Sequence, residues 1–108
     1  MEMKILMELV AGILSIMEQQ TVSVILYGSV ARGTNTEKSD VDVALLIKGS
    51  MEKTTEDKLS DMIVDMNLKY NKVFSVIDID YELFKKWEKV TPFYQNVVRE
   101  GVVLWTAA

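Results

Sequence analysis

The chain has no cysteine, no histidine, one proline and five glycines in 108 residues. Without cysteine there is neither a disulfide nor a thiolate nucleophile. Without histidine, the commonest general base and the commonest zinc ligand are both missing. Any metal must then be held by oxygen, which suits magnesium, manganese or calcium. The sole proline, Pro92, and so few glycines leave no room for a flexible linker. No run approaches the roughly 20 apolar residues of a membrane span. The start, Met1 to Glu8, carries acids inside its apolar run and lacks a small-residue cleavage pattern, so no signal peptide is read and a cytoplasmic protein is expected. An excess of positive charge is also absent. Twelve lysines and arginines against 16 acids leave a net charge of −4, which argues against a sequence-independent grip on a nucleic-acid backbone. It does not exclude a nucleotide whose charge is carried by a metal.

What is present is an ordinary globular composition, 49% apolar and 26% charged, of a length that predicts one domain over residues 1–108. Met3, Leu6, Met7, Val10, Leu14 and Met17 recur at helical spacing and predict an amphipathic helix over 2–19 with its methionines in the core. Thr21 to Tyr27 predicts a central strand, apolar on both faces, with Val22, Val24 and Leu26 on one side and Ile25 and Tyr27 on the other. Val41 to Ile47 predicts a second strand. A helix follows, opened by Thr54 and Asp57 as a capping pair and striped by Leu59, Met62, Ile63, Met66 and Tyr70; its Glu56, Lys58, Asp61, Asp65 and Lys69 read as a solvated face. Val73 to Asp80 predicts a third strand, and Asp80 caps a helix that buries Leu83, Phe84 and Trp87. Thr91-Pro92 opens a last helix packed by Phe93, Tyr94, Val97 and Val98 and stopped at Gly101, and Val102 to Trp105 reads as an extended tail.

The chemistry concentrates between the first two strands. Gly28-Ser29 follows the first strand, ten residues intervene, and Asp40-Val41-Asp42 opens the second. Strand alternation sends Asp40 and Asp42 to one face and Val41 and Val43 to the other, so two carboxylates lie side by side. Ser29 to Arg32 reads as the start of a short helix whose amides and positive dipole end face an anion, and Gly33 permits a turn that a side chain would resist. From average residue usage, a chance match to Gly-Ser, ten residues, Asp-x-Asp in a chain this long is on the order of one in a thousand. Attack on a nucleotide α-phosphate needs its oxygens neutralised, and a pair of divalent metals roughly 3.5–4 Å apart does this while activating the attacking oxygen. Asp40 and Asp42 are the candidate metal ligands, Gly28 and Ser29 the candidate phosphate binders, and Arg32 a further charge-assisted contact.

The stretch Gly28-Ser29, Arg32-Gly33, Ser39-Asp40-Val41-Asp42 resembles the signature of the DNA polymerase β-like nucleotidyltransferase superfamily. The short chain is similar to its minimal nucleotidyltransferases, and so is the ending from Pro92 to Leu104. The resemblance implies an α/β (α+β) nucleotidyltransferase fold, a small mixed sheet flanked by helices. It also implies binding of a nucleoside triphosphate, ATP in the first instance, with Mg²⁺ or Mn²⁺, and transfer of a nucleotidyl group to an acceptor hydroxyl. Family members add a third carboxylate from a later strand. Here Asp78 is the first candidate and Asp80 the next, whereas aligning the following turn puts Ser75 at that place. Ser75 and Asp78 have opposite parity, so only one can face Asp40 and Asp42. Minimal nucleotidyltransferases are often paired with an all-helical HEPN protein. The alternative reading is therefore an antitoxin-like interaction protein with a weak or inactive site. A homo-oligomer is left open.

Overall fold

The computed structural model describes residues 2–108. Its elements follow in the order α1 Met3–Met17, a 3₁₀ turn Glu18–Gln20, β1 Thr21–Tyr27, α2 Gly28–Arg32, β2 Val41–Ile47, α3 Lys53–Tyr70, β3 Phe74–Asp80, α4 Tyr81–Trp87, α5 Pro92–Glu100 and β4 Val102–Thr106. The four strands form one sheet in the order β3-β2-β1-β4. β1 pairs antiparallel with β2 and β4, while β2 and β3 run parallel because α3 crosses over between them. The sheet is thus mixed and flanked by helices, as the resemblance implied. The supposed tail at Val102 is the fourth strand.

Alternation along the strands divides the core in two. Val41, Val43, Leu45 and Ile47 of β2 join Val24 and Leu26 beneath α1 and α3, against Leu6, Leu9, Val10, Ile13, Leu59 and Met66. Ala44 and Leu46 face the other way, with Ile25, Ile79, Phe84 and Val97, beneath α4 and α5. A one-residue bulge at Val22, where Thr21 pairs with Ile47 and Ser23 with Leu46, turns Val22 onto this second layer and away from Val24 and Leu26. At about 1.5–3 kcal/mol for each fully buried aliphatic side chain, the two layers together favour the folded state strongly.

Several packing expectations fail for one reason, that the sheet is small and its outer helices cover it incompletely. Met3 and Met7 are exposed and Met17 alone of the α1 methionines is buried. Phe84 is buried, but Leu83, Trp87 and Val98 are exposed, because Phe84 and Val97 are the only residues of α4 and α5 fully buried against the sheet. The capping pair does not form either. α3 starts at Lys53 behind Glu52, with no side-chain cap. Asp80 does cap α4 by accepting from the Glu82 amide at 3.0 Å, and α5 starts at Pro92 behind Thr91. Among the described residues, no helix is long and apolar enough to cross a membrane.

Candidate active site

β1 and β2 are antiparallel neighbours, so the end of one meets the start of the other, and Tyr27 pairs with Asp42. This register brings the Gly-Ser turn and the two carboxylates to one end of the sheet. Gly28 has φ 76°, in the left-handed region that favours glycine, and a β-carbon there would overlap the Asp42 carboxylate. The two halves of the motif are thus packed against each other at Gly28 and Asp42. Beyond it, α2 occupies Gly28–Arg32 and closes on Gly33 at φ 75°, whose amide donates to the Val30 carbonyl at 3.2 Å while Thr34 N–H donates to Ser29 O at 3.0 Å. The loop that follows is tied by Thr36 N–H donating to Ser39 Oγ at 2.9 Å, which sets the approach to Asp40.

Asp42 is partly buried on the α4 and α5 side of the sheet, and its carboxyl is pushed above the ordinary value, first by burial and then by the nearby charge of Asp40. The Arg32 guanidinium opposes the rise. The site is therefore short of positive charge, a condition that a cation between the two carboxylates would relieve. Burial also raises the Tyr27 hydroxyl, and the Asp42 charge adds to it. Arg32 does not lie free: its Nη1 pairs with Glu100 Oε2 at 3.0 Å, so the end of α5 holds the guanidinium beside the motif. Both side chains remain substantially in solvent, 45% and 32% exposed. Such a pair contributes about 0–1 kcal/mol and acts chiefly by orientation.

The β2 and β3 register decides between the candidates for a third polar group. Asp42 pairs with Ser75, whereas Asp78 pairs with Leu45 and Asp80 with Ile47. Ser75 is thus the neighbour of Asp42 on the same face, with backbones about 4.8 Å apart. Asp78 lies three residues, about 10 Å, further along and on the opposite face, with the parity of Leu45. The structure brings together Gly28, Ser29, Arg32, Asp40 and Asp42, and does not bring Asp78 or Asp80 to them. Among the described residues, no group of three or more acidic side chains converges on one point.

An oxygen-only pair still fits a divalent cation of the magnesium type. Such ions keep several waters and bind through one or two carboxylates plus the phosphates of a substrate, rather than in an all-protein cage. Because Gly28 lacks a β-carbon, the Asp42 carboxylate packs directly against the turn that would take the phosphates. Two neighbours escaped the sequence reading. Tyr27 looked like core until pairing placed it beside Asp42, with Phe93 packed edge-on at 5.5 Å. Glu100 stands 68 residues from Arg32, and no local pattern predicts that contact.

Comparison with known proteins accords with this geometry. The family described as Polymerase beta, Nucleotidyltransferase matches residues 12–108. Two proteins of Methanocaldococcus jannaschii are similar over almost their whole length. The one named "Putative protein adenylyltransferase MJ0604" is 36% identical over 107 residues, covering 96% of this chain and 98% of its own. The one named "Putative protein adenylyltransferase MJ0141" is 34% identical over 99 residues, covering 92% and 94%. A chain from a crystal structure of a toxin-antitoxin with AMP-PNP superimposes with a TM-score of 0.61 at 19% identity, covering 93% of this chain and 73% of that one, a likeness of fold. A Gly-Ser turn pressed against an Asp-x-Asp pair on a mixed four-stranded sheet, together with these matches, places the chain in the polymerase β nucleotidyltransferase family, among its minimal nucleotidyltransferases.

Proposed function

We propose that the protein transfers a nucleoside monophosphate from a magnesium-bound nucleoside triphosphate, ATP in the first instance, to a hydroxyl on a partner protein. The observation that carries this reading is the meeting of the Gly-Ser turn with the Asp-x-Asp pair, in which Gly28, left-handed and without a β-carbon, packs directly against the Asp42 carboxylate. Asp40 and Asp42 hold the cation, which supplies charge neutralisation and activation at the α-phosphate. The Gly28 and Ser29 turn gives backbone amides and a hydroxyl to the outer phosphates, and Arg32, steadied by Glu100, adds a charge-assisted contact. The adenylyltransferase names of the two relatives support adenylate as the group moved. Isothermal titration checks the reading. Mg²⁺ and a non-hydrolysable ATP analogue bind the wild type and fail to bind an Asp40→Asn, Asp42→Asn double variant; equal binding by both removes the cation role.

A second reading is favoured by Ser75. Serine stands beside Asp42 and Asp78 lies on the far face, and among the described residues no third carboxylate converges on the Asp40 and Asp42 pair to take the acceptor's proton. In that case the chain serves chiefly as the antitoxin-like member of a cytoplasmic pair, bound to an all-helical HEPN-type partner. The toxin-antitoxin neighbour supports it.

A further inference from the structure

We infer that the solvent face of α1 is the seam of a homodimer, in which α1 of a second copy of this chain packs antiparallel across a two-fold axis at Ala11. The inference is independent of the nucleotidyl-transfer reading, because α1 covers one face of the sheet and Asp42 lies on the other.

A helix packed on a sheet ordinarily turns charged side chains to water. α3 does so with Glu56, Lys58, Asp61, Asp65 and Lys69. α1 does not. At about 100° per residue, Lys4, Met7, Ala11, Ser15 and Glu18 fall within an arc of about 80°. All five are exposed, and between the charges at its two ends the stripe carries none. Glu8, at its margin, is taken by Lys69 at 2.9 Å and by the Tyr70 hydroxyl. Beside the stripe lies a groove of about 390 Å³, formed by Ala11 and Gly12 of α1 with Met62 and Met66 of α3 and lined also by Asp65 and the Glu8 and Lys69 pair.

Two observations select a second copy as the occupant. The first is where the end charges stand. A helix dipole favours an acid in the first turn and a base in the last. α1 has neither: Lys4 stands in its first turn and Glu18 is its C-cap residue. Neither charge forms an ion pair among the described residues, and Lys4 acts on Glu8 only at longer range. Each therefore suits the opposite end of a helix from the one it occupies. Antiparallel packing supplies that end, because it brings Lys4 to the C-terminus of the other α1 and Glu18 to its N-terminus.

The second observation is the spacing. Lys4 and Glu18 stand seven residues before and after Ala11, and Met7 and Ser15 four. A two-fold axis at Ala11 then sets Lys4 level with the partner's Glu18 and Met7 level with the partner's Ser15, each contact occurring twice. Opposite charges meet, and the long methionine meets a small side chain. The Ser15 hydroxyl already donates to the Gly12 carbonyl at 2.7 Å, so covering it leaves no orphaned donor. At the axis Ala11 meets its own copy, which lets the helices approach to the near end of the usual range of about 8–10 Å. A seam of about four turns buries less than about 1,200 Å² in total, so the dimer is weak and forms at high protein concentration.

Sedimentation equilibrium of the full chain, at concentrations up to about 0.5 mM, tests this. The wild type associates to a dimer. Lys4→Glu and Glu18→Lys each turn two attractions into two repulsions and weaken the dimer about tenfold or more. Mixed in equal amounts, the two single variants recover most of that loss as a heterodimer, because both charge pairs are restored only between unlike chains. Ala11→Glu, which sets two like charges across the axis, also weakens the dimer. At concentrations where the wild type is monomeric, Lys4→Glu and Glu18→Lys do not lower the Tm, since each gives its helix end the charge that end prefers. A wild type that stays monomeric overturns the proposal and leaves the face to a different protein. A dimer unmoved by the single reversals, or a mixture that fails to recover, overturns it too, by assigning the dimer to another surface.

Discussion

At Asp42 the demands of stability and chemistry oppose each other. Burial and the Asp40 charge raise its folded-state pKa above that of the unfolded chain, so the neutral acid is the form that folding prefers. Its contribution to stability is present below the unfolded value near pH 4 and is lost as pH rises through the folded value. At neutral pH the ionised carboxylate therefore costs stability in the metal-free protein. Asp42→Asn raises the Tm at pH 7.5 in EDTA by about 1–3 °C, a small step because solvent reaches the group. The advantage disappears below about pH 4. Thermal melts at the two pH values check this, and an asparagine variant less stable than wild type at pH 7.5 contradicts it. Ser75 poses the complementary question. Ser75→Asp sets a carboxylate beside Asp42 on the same face, where it can receive a proton from an acceptor hydroxyl. A well-placed general base is worth about 10²–10⁴ in rate, and the expected gain in adenylate transfer is at least about tenfold. Unchanged turnover with nucleotide binding intact supports the antitoxin-like reading instead.

Among the elements, α5 and β4 tie the C-terminal part of the chain to the motif. Val97 is buried against the sheet, Glu100 reaches Arg32, and Gly101 turns the chain into β4, which pairs with β1. Gly101 permits this by closeness rather than by unusual dihedral angles, since its φ is −71°. A β-carbon there would overlap the Val97 carbonyl and stand 2.6 Å from Ile25 Cγ2. Neither neighbour is the free end of a flexible side chain. Gly101→Ala is expected to cost about 1–3 kcal/mol, the usual range for overpacking a filled site. Urea denaturation measures it, and a midpoint within error of wild type shows that α5 can shift without loss.

For the molecule as a whole, the order of elements was legible because each carries its own period: 3.6 along α1 and α3, alternation along β1 to β3, and a cap or a proline before α4 and α5. The motif was legible for a related reason, that Gly28 to Asp42 joins two strands adjacent in sequence, so local pattern determines their meeting. What joins distant parts was not. Nothing local in Val102 to Thr106 says that it forms the outer strand beside β1. Nothing in Glu100 announces Arg32. The choice between Ser75 and Asp78 lay between these extremes. Parity showed that the two face opposite sides, but the parallel register with β2 was needed to say which side holds Asp42. Exposure of Leu83, Trp87 and Val98 was hidden for the same cause, since an apolar stripe reports what a helix could bury and not how much sheet is available to bury it.

Three glycines share nearly the same left-handed dihedral angle, Gly28, Gly33 and Gly49, yet evolution meets them on different terms. At Gly33 and Gly49 a side chain would find nothing within 4 Å, so asparagine or aspartate, which tolerate that conformation, are open to drift. At Gly28 every single-base change of a glycine codon that leaves a residue adds a β-carbon, and each such carbon contests the volume of the Asp42 carboxylate. Lineages of this chain that keep the acid are therefore held to glycine at 28. A descendant that has lost glycine there must already have surrendered, or moved, the carboxylate it made room for.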